Sequence, residues 1–361
     1  MTAESLFYGR WGSSRRGKEC PVLERSFVSS APKSSRHLHS LLSLLCALIV
    51  FLSCSGFSIS LPPQLAPLWL PSYEGDVQAT HPSVLYFDTA WNDYHFWIAY
   101  SPYPQGDDRK ENPHLLASND GVHWQRPAGF CNPLDGTPEG YQKGVVYNSD
   151  PELVYNSDTD ELECWWRYVN DSLDQMILYR RRSGDGVHWT EKECMLQTVR
   201  SQDDRLSPTL LYENGVYRMW SVGGDCSVQY NEYSPETGWS ATRSVALRYS
   251  SDTLSSWHLT VRHTEKGYEM LMAASDANAT PYPRSRMSLY YACSKDGKDF
   301  GTAEMVFSPR KGSWFNRGLY RPAFAMVNGK YYVYFSGISG TNWQGIGLLV
   351  GEDIHTLRLC R

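Results

Sequence analysis

The sequence predicts an all-β fold, a five-bladed β-propeller with four antiparallel strands per blade. Three observations predict it. An apolar run, a polar turn and an aromatic run recur five times along the chain. A Ser-x-Asp-Gly turn follows three of those hairpins. Aromatic residues make up 14% of the 361 residues, beside 28 Gly and 20 Pro, which favours short strands and tight turns over long helices.

The chain begins with a basic stretch holding Arg10, Arg15, Arg16, Lys18, Arg25, Lys33 and Arg36. An apolar run at 41–52 and the small residues Ser53, Cys54, Ser55 and Gly56 follow. That order is the pattern of a secretory signal, and the run is short for a membrane span, which needs ~20 residues. We therefore expect 1–56 to be a leader, with Cys54 open to lipidation. Residues 57–74, with Pro62, Pro63, Pro67 and Pro71, read as a linker, and 75–361 as the propeller. The expected location is outside the cytoplasm, secreted or anchored, with contact to membrane only through the N-terminal segment.

The five hairpins place their inner strands near His81, Asp150, Ser207, His258 and Arg321. Asn214-Gly215 and Asn328-Gly329 supply the strongest short hairpin signal in two of them. Third strands are expected at 115–118, 177–179, 246–249, 289–293 and 348–350. Trp124, Trp189 and Phe300 stand at one spacing after the three Ser-x-Asp-Gly turns and are expected to open outer strands and to pack over the turns. In those turns Ser and Asp can bond the backbone while Gly takes positive φ.

Charge excludes one class of function. With 34 Lys+Arg against 39 Asp+Glu, the net −5 argues against a nucleic-acid partner, which needs a clustered basic face. Of nine cysteines, Cys131, Cys164, Cys194, Cys226, Cys293 and Cys360 fall in the propeller. Disulfides and buried thiols both remain open for them. No Cys/His group has local zinc-ligand spacing.

The Xaa-Pro dipeptides at inner-strand starts, Asp150-Pro151 among them, and the Ser-x-Asp-Gly turns resemble those of the glycoside hydrolase families 43, 32, 62, 68 and 130. The resemblance covers about 280 residues. It implies a funnel at one end of the axis that holds carboxylates from the first three blades, and a carbohydrate substrate. In this chain the matching positions are His81, Asp150 and Ser207, so the acidic triad is incomplete. The turns also resemble the Asp boxes of sialidases, with one residue fewer between Ser and Trp.

Glycoside hydrolysis needs two carboxylates in different protonation states. Asp150 and Glu111 form the first expected pair, with His81 beside them. Asp150 is expected to be ionised near Arg205 or Arg321, and Glu111, behind the Pro-rich loop 101–108, to hold its proton. Glu152, Asn112, Arg205, Ser207, His258 and Arg321 are expected around the substrate, and Asp203 and Asp204 near the general-acid position. No cofactor or metal centre is expected, although His258 can face an axial cation. Trp91, Trp314 and Trp343 can stack on sugar rings. A glycoside hydrolase is the expected activity; a non-catalytic glycan-binding propeller is the alternative.

Overall fold

A computed structural model describes residues 66–73, 75–279, 285–340 and 344–360. The expected leader, Cys54 and Trp343 lie outside the described residues. The chain is a five-bladed β-propeller. Among the described residues the helical segments are four single 3-10 turns, and no helix is long and apolar enough to cross a membrane.

The inner strands are Ala79–Trp91, Val146–Asn156, Leu206–Glu213, Leu254–Thr264 and Gly318–Val327. They pack in chain order around the axis, the fifth against the first. Each is followed by an antiparallel second strand, at Tyr94–Pro102, Glu161–Asn170, Val216–Val222, Gly267–Asp276 and Lys330–Ile338. The third strands are His114–Ser118, Gln175–Ser183, Val228–Ser234, Ser288–Ser294 and Gln344–Gly351. Outer strands vary most. Blade 2 has Glu193–Val199 and blade 1 only the single bridge between Ala117 and Gln125.

Two expectations are corrected here. The third strand of blade 3 is Val228–Ser234, and Ala246–Arg248 instead pairs in parallel with Asp299–Thr302 beside blade 4. The true strand was hidden because polar Gln229 and Asn231 interrupt its apolar pattern. Both accept hydrogen bonds from buried Arg205. Trp124 and Trp189 do not open outer strands; they pack over their turns, with Trp124 edge-on to Phe96 and Tyr334.

Five apolar clusters hold the ring together, one at each junction between neighbouring blades. Large aromatic side chains from second strands dominate them, which explains the composition. The turns lock into the same seams. Gly121, Gly186 and Gly297, at φ +74, +73 and +73, each lie against a ring of the preceding blade: Tyr334, Trp97 and Trp220. A tyrosine at the start of the second strand then donates to a glutamate of the preceding blade in three seams. These pairs are Tyr217 to Glu163 at 2.6 Å, Tyr268 to Glu213 at 2.8 Å, and Tyr331 to Glu269 at 2.9 Å.

Blades 5 and 1 close the ring. The Ser336 hydroxyl accepts from the His81 amide at 3.0 Å, and the Tyr334 hydroxyl donates to the Gly121 carbonyl at 2.9 Å. The described part of the segment read as a linker packs on this seam, with Leu68 and Leu70 buried in its cluster. All six described cysteines are unpaired, Cys164 and Cys360 among them buried.

With apolar surface spent between blades, the axis is left to polar residues. Every inner strand breaks register at the same level: Thr80 to Ser83, Ser149 to Glu152, Leu206 to Thr209, Ser256 to His258, and Leu319 to Pro322. These are β-bulges, which re-aim side chains. In blades 1 to 3 the bulged residue precedes proline and takes positive φ: His81 at 53°, Asp150 at 52° and Ser207 at 52°. Proline lacks an N–H, so the break sacrifices no ladder donor there.

Candidate functional site

The bulges bring His81, Asp150, His258 and Arg321 together at one end of the axis, all buried. Above them opens a cavity of about 470 Å³. Its walls include Tyr103, Tyr147, Trp257 and Tyr320, together with Glu111, Arg167 and Asp204.

Asp150 is the centre. Arg321 Nη1 donates to its Oδ1 at 2.8 Å, and the Ser149 hydroxyl to its Oδ2 at 3.0 Å. His258 Nδ1 lies 3.5 Å and His81 Nε2 3.8 Å from the same Oδ1. Burial pushes the Asp150 carboxyl up, but His81 and the Arg321 and Arg167 guanidiniums outweigh it and hold the group well below the usual carboxylate range. Asp150 is therefore ionised at neutral pH. Burial drives His258 the other way, well below the ordinary histidine value, so its ring is neutral.

Arg321 spans two carboxylates, since its Nη2 donates to Glu152 Oε2 at 2.9 Å. Glu152 also accepts from the Thr209 hydroxyl at 2.6 Å. It thus lies behind Arg321 as a support. Removing one partner of such a buried network leaves an uncompensated charge.

Glu111 arrives from the loop between the second and third strands of blade 1. Asp108 pins that loop, accepting from the Tyr141 hydroxyl at 2.7 Å and the Gly144 amide at 2.5 Å. Glu111 Oε1 then sits 3.0 Å from His81 Nδ1. Burial raises the Glu111 carboxyl above its ordinary value; His81 opposes that and Asp150 adds to it.

His81, Asp150 and His258 also make a ligand set. Their donor atoms all lie within 4.8 Å of one another. His81 Nε2 and both ring nitrogens of His258 are buried without a hydrogen-bond partner. Orphaned imidazole nitrogens beside an ionised carboxylate fit a divalent cation of the zinc or manganese type, which two imidazoles and one carboxylate hold with positions left open. Local spacing could not reveal the set, because each ligand comes from a different blade.

The other expected site residues lie elsewhere. Arg205 is buried within blade 3, bonded to Asp203, Gln229, Asn231 and Thr242. It precedes its bulge by two residues, so its side chain stays inside the blade, whereas Arg321 stands at the bulge. The Ser207 hydroxyl accepts from the Leu259 amide at 3.1 Å and ties blade 3 to blade 4. Asn112 anchors the Glu111 loop through Tyr73, Thr137 and Asn148. Asp204 reaches the cavity but is held by Arg167 and Arg200. Trp91 is buried at the seam of blades 1 and 2, its Nε1 donating to Asp160 at 2.8 Å. Trp314 stacks on Phe335, with ring centroids 5.7 Å apart. Sequence reading missed Tyr103, Tyr147, Trp257 and Tyr320 as the funnel aromatics. Trp257 and Tyr320 directly precede His258 and Arg321, the one available signal.

No protein-family model matches the chain. It is similar to the A type blood N-acetyl-α-D-galactosamine deacetylase of Flavonifractor plautii, 28% identical over 309 residues and covering 70% of this chain. The chain spans 38% of the length of that relative. Among solved structures, an N-acetylgalactosamine deacetylase from F. plautii in complex with blood group B trisaccharide superposes with a TM-score of 0.69. It is 23% identical, and the match covers 81% of this chain and 95% of that one. An exo-1,5-α-L-arabinanase from a bovine ruminal metagenomic library gives a TM-score of 0.54 at 13% identity, over 76% and 94% of the two chains. The propeller fold is thus shared with carbohydrate-active enzymes of more than one activity.

Proposed function

We propose that this propeller is a carbohydrate-active hydrolase that removes the acetyl group from an N-acetylated sugar, with a divalent cation held by His81, Asp150 and His258. The observation that carries this reading is the buried trio itself, with its orphaned imidazole nitrogens. Its likeness to the F. plautii deacetylase supports the substrate class.

A cation bound there polarises a carbonyl and lowers the pKa of a bound water. The chain's own residues supply the rest. Arg321 and Ser149 fix Asp150 in its ionised form and orientation. Glu111, buried inside the cavity beside His81, is the group suited to take a proton from water and pass it to the departing amine. Tyr103, Tyr147, Trp257 and Tyr320 offer faces on which a sugar ring stacks.

Glycosidic cleavage is the second reading, and the geometry favours it less. The His81 ring stands between Glu111 and Asp150, contacting both, so they do not face each other across an open gap. Asp150 is engaged by Arg321, and blade 3 offers Ser207, itself tied to backbone, where the resemblance implies an acid. The test is to incubate the full chain with glycans bearing N-acetylhexosamine and, separately, with arabinan, and to analyse products. Release of acetate from an otherwise intact glycan, lost on chelation, is expected. New reducing ends without acetate would replace this reading with the glycosidase, and binding without either product would leave a glycan-binding module.

The basic leader and the apolar run at 41–52 support placing the enzyme outside the cytoplasm. Cell fractionation is expected to find it there; an uncleaved chain in the cytosol would contradict this.

A further inference from the structure

A second cavity, of about 270 Å³, lies on blade 2. Asp135, Glu139, Asn148, Tyr168, Tyr179 and Lys192 help to line it, and none of them lines the funnel. We propose that it is a separate binding site for a single pyranose unit. The proposal goes beyond the reaction above, because it requires only a sugar and no chemistry.

Two features argue for a sugar. Tyr168 and Tyr179 stand at 61° with centroids 5.9 Å apart, both part-exposed, and give the cavity two aromatic walls. Lys192 lies 4.7 Å from the Tyr179 ring and donates to Asp135 at 2.8 Å, so a cation and a carboxylate are fixed beside that ring. Asn148 is only 1% exposed. Its amide nitrogen donates to Asn112 Oδ1 at 2.9 Å and to the Gly136 carbonyl at 3.1 Å, while its Oδ1 has no partner.

The part-exposed tyrosine rings and the fixed Lys192–Asp135 pair together suit a body with a flat C–H face and hydroxyl groups, which is a pyranose. Glu139 is exposed at the rim with no ion-pair partner among the described residues, so it disfavours a carboxylate-bearing sugar. The site is set apart from the funnel yet linked to it. Asn148 bonds Asn112, the neighbour of Glu111, and lies two residues before Asp150.

The test uses the full chain carrying Asp150→Asn, which disables the funnel centre, titrated by calorimetry with methyl galactoside, methyl glucoside and galacturonate. Saturable binding of a neutral methyl glycoside is expected, with a dissociation constant on the order of millimolar for so small a ligand. Tyr168→Ala should weaken it by at least about fivefold through lost stacking. Glu139→Gln, on the surface and harmless to folding, should improve galacturonate binding relative to the neutral sugars. Absence of saturable binding, or binding that neither variant alters, would overturn the proposal. A wild-type chain that binds the glycoside here but releases no acetate from glycans bearing N-acetylhexosamine would refute the deacetylase reading and leave this site standing.

Discussion

Asp150 draws its chemistry from neighbours that the sequence brings from three other blades, His81, His258 and Arg321. Arg321 and Glu152 complete a network in which each buried charge has a partner. Arg321→Met should destabilise the fold by about 3–5 kcal/mol, because two buried carboxylates lose their cation; chemical denaturation of the full chain measures it. Glu111 can be tested more gently. Glu111→Gln preserves shape and should lower turnover by at least about 100-fold while glycan binding persists. Unchanged turnover would remove Glu111 from the reaction. At this scale the sequence was informative about identity and poor about grouping. His81, Asp150, His258 and Arg321 each stand out as polar residues opening an inner strand. That His81, Asp150 and His258 form one ligand set depends on ring closure, which no local spacing encodes. Arg205 and Arg321 look alike in sequence. Only the position directly before proline, at the bulge, separates the one that reaches the axis.

The recurring element is the Ser-x-Asp-Gly turn at the end of a third strand. Ser118, Ser183 and Ser294 each accept from the glycine amide of their own turn, at 3.0, 2.8 and 2.9 Å. The aspartate then accepts from two following amides, as Asp120 does from Val122 and His123. Burial nudges Asp120 up, but its bonds from the His123 side chain and from those amides win, and the carboxyl is lowered to about 2. In Asp296 the amides of Lys298 and Asp299, with Ser294, again lower the pKa. A carboxyl depressed in the folded state stabilises above its unfolded value of about 3.9, and that contribution is lost as pH falls through the folded value. Stability should therefore drop between about pH 4 and pH 2, and Asp120→Asn should flatten that drop in thermal melts. A drop of equal steepness in the variant would count against the turns as its source. The turn glycines carry a further expectation. A Cβ on Gly186 would sit 2.1 Å from Trp97, at φ +73, so Gly186→Ala should cost about 1–3 kcal/mol. The turns were plain in the sequence, but the rings they receive come from the preceding blade and were not.

Across the whole molecule, apolar surface fills five seams and leaves the axis polar. That division explains why a chain with ordinary charge content concentrates an aspartate, two histidines and an arginine at one buried point. Five blades were legible because each repeats a hairpin with turn signals. Blade 3 was legible only in part, since its third strand trades apolar residues for the partners of Arg205. Ring closure depends on a short segment ahead of the first blade as well as on the blades. Leu70→Asp should loosen the seam of blades 5 and 1, lowering the melting temperature by several degrees, as ~1–3 kcal/mol does in a chain of this size. An unchanged melting temperature would mean the segment merely rests on the seam. The proposed reaction needs a divalent cation at His81, Asp150 and His258. Elemental analysis of the purified full chain, beside the Asp150→Asn variant, tests it most directly. Close to one divalent transition-metal ion per wild-type chain is expected, and almost none in the variant. A wild type that carries no ion after exposure to zinc or manganese, or a variant that retains it fully, would rule out a cation site at the axis.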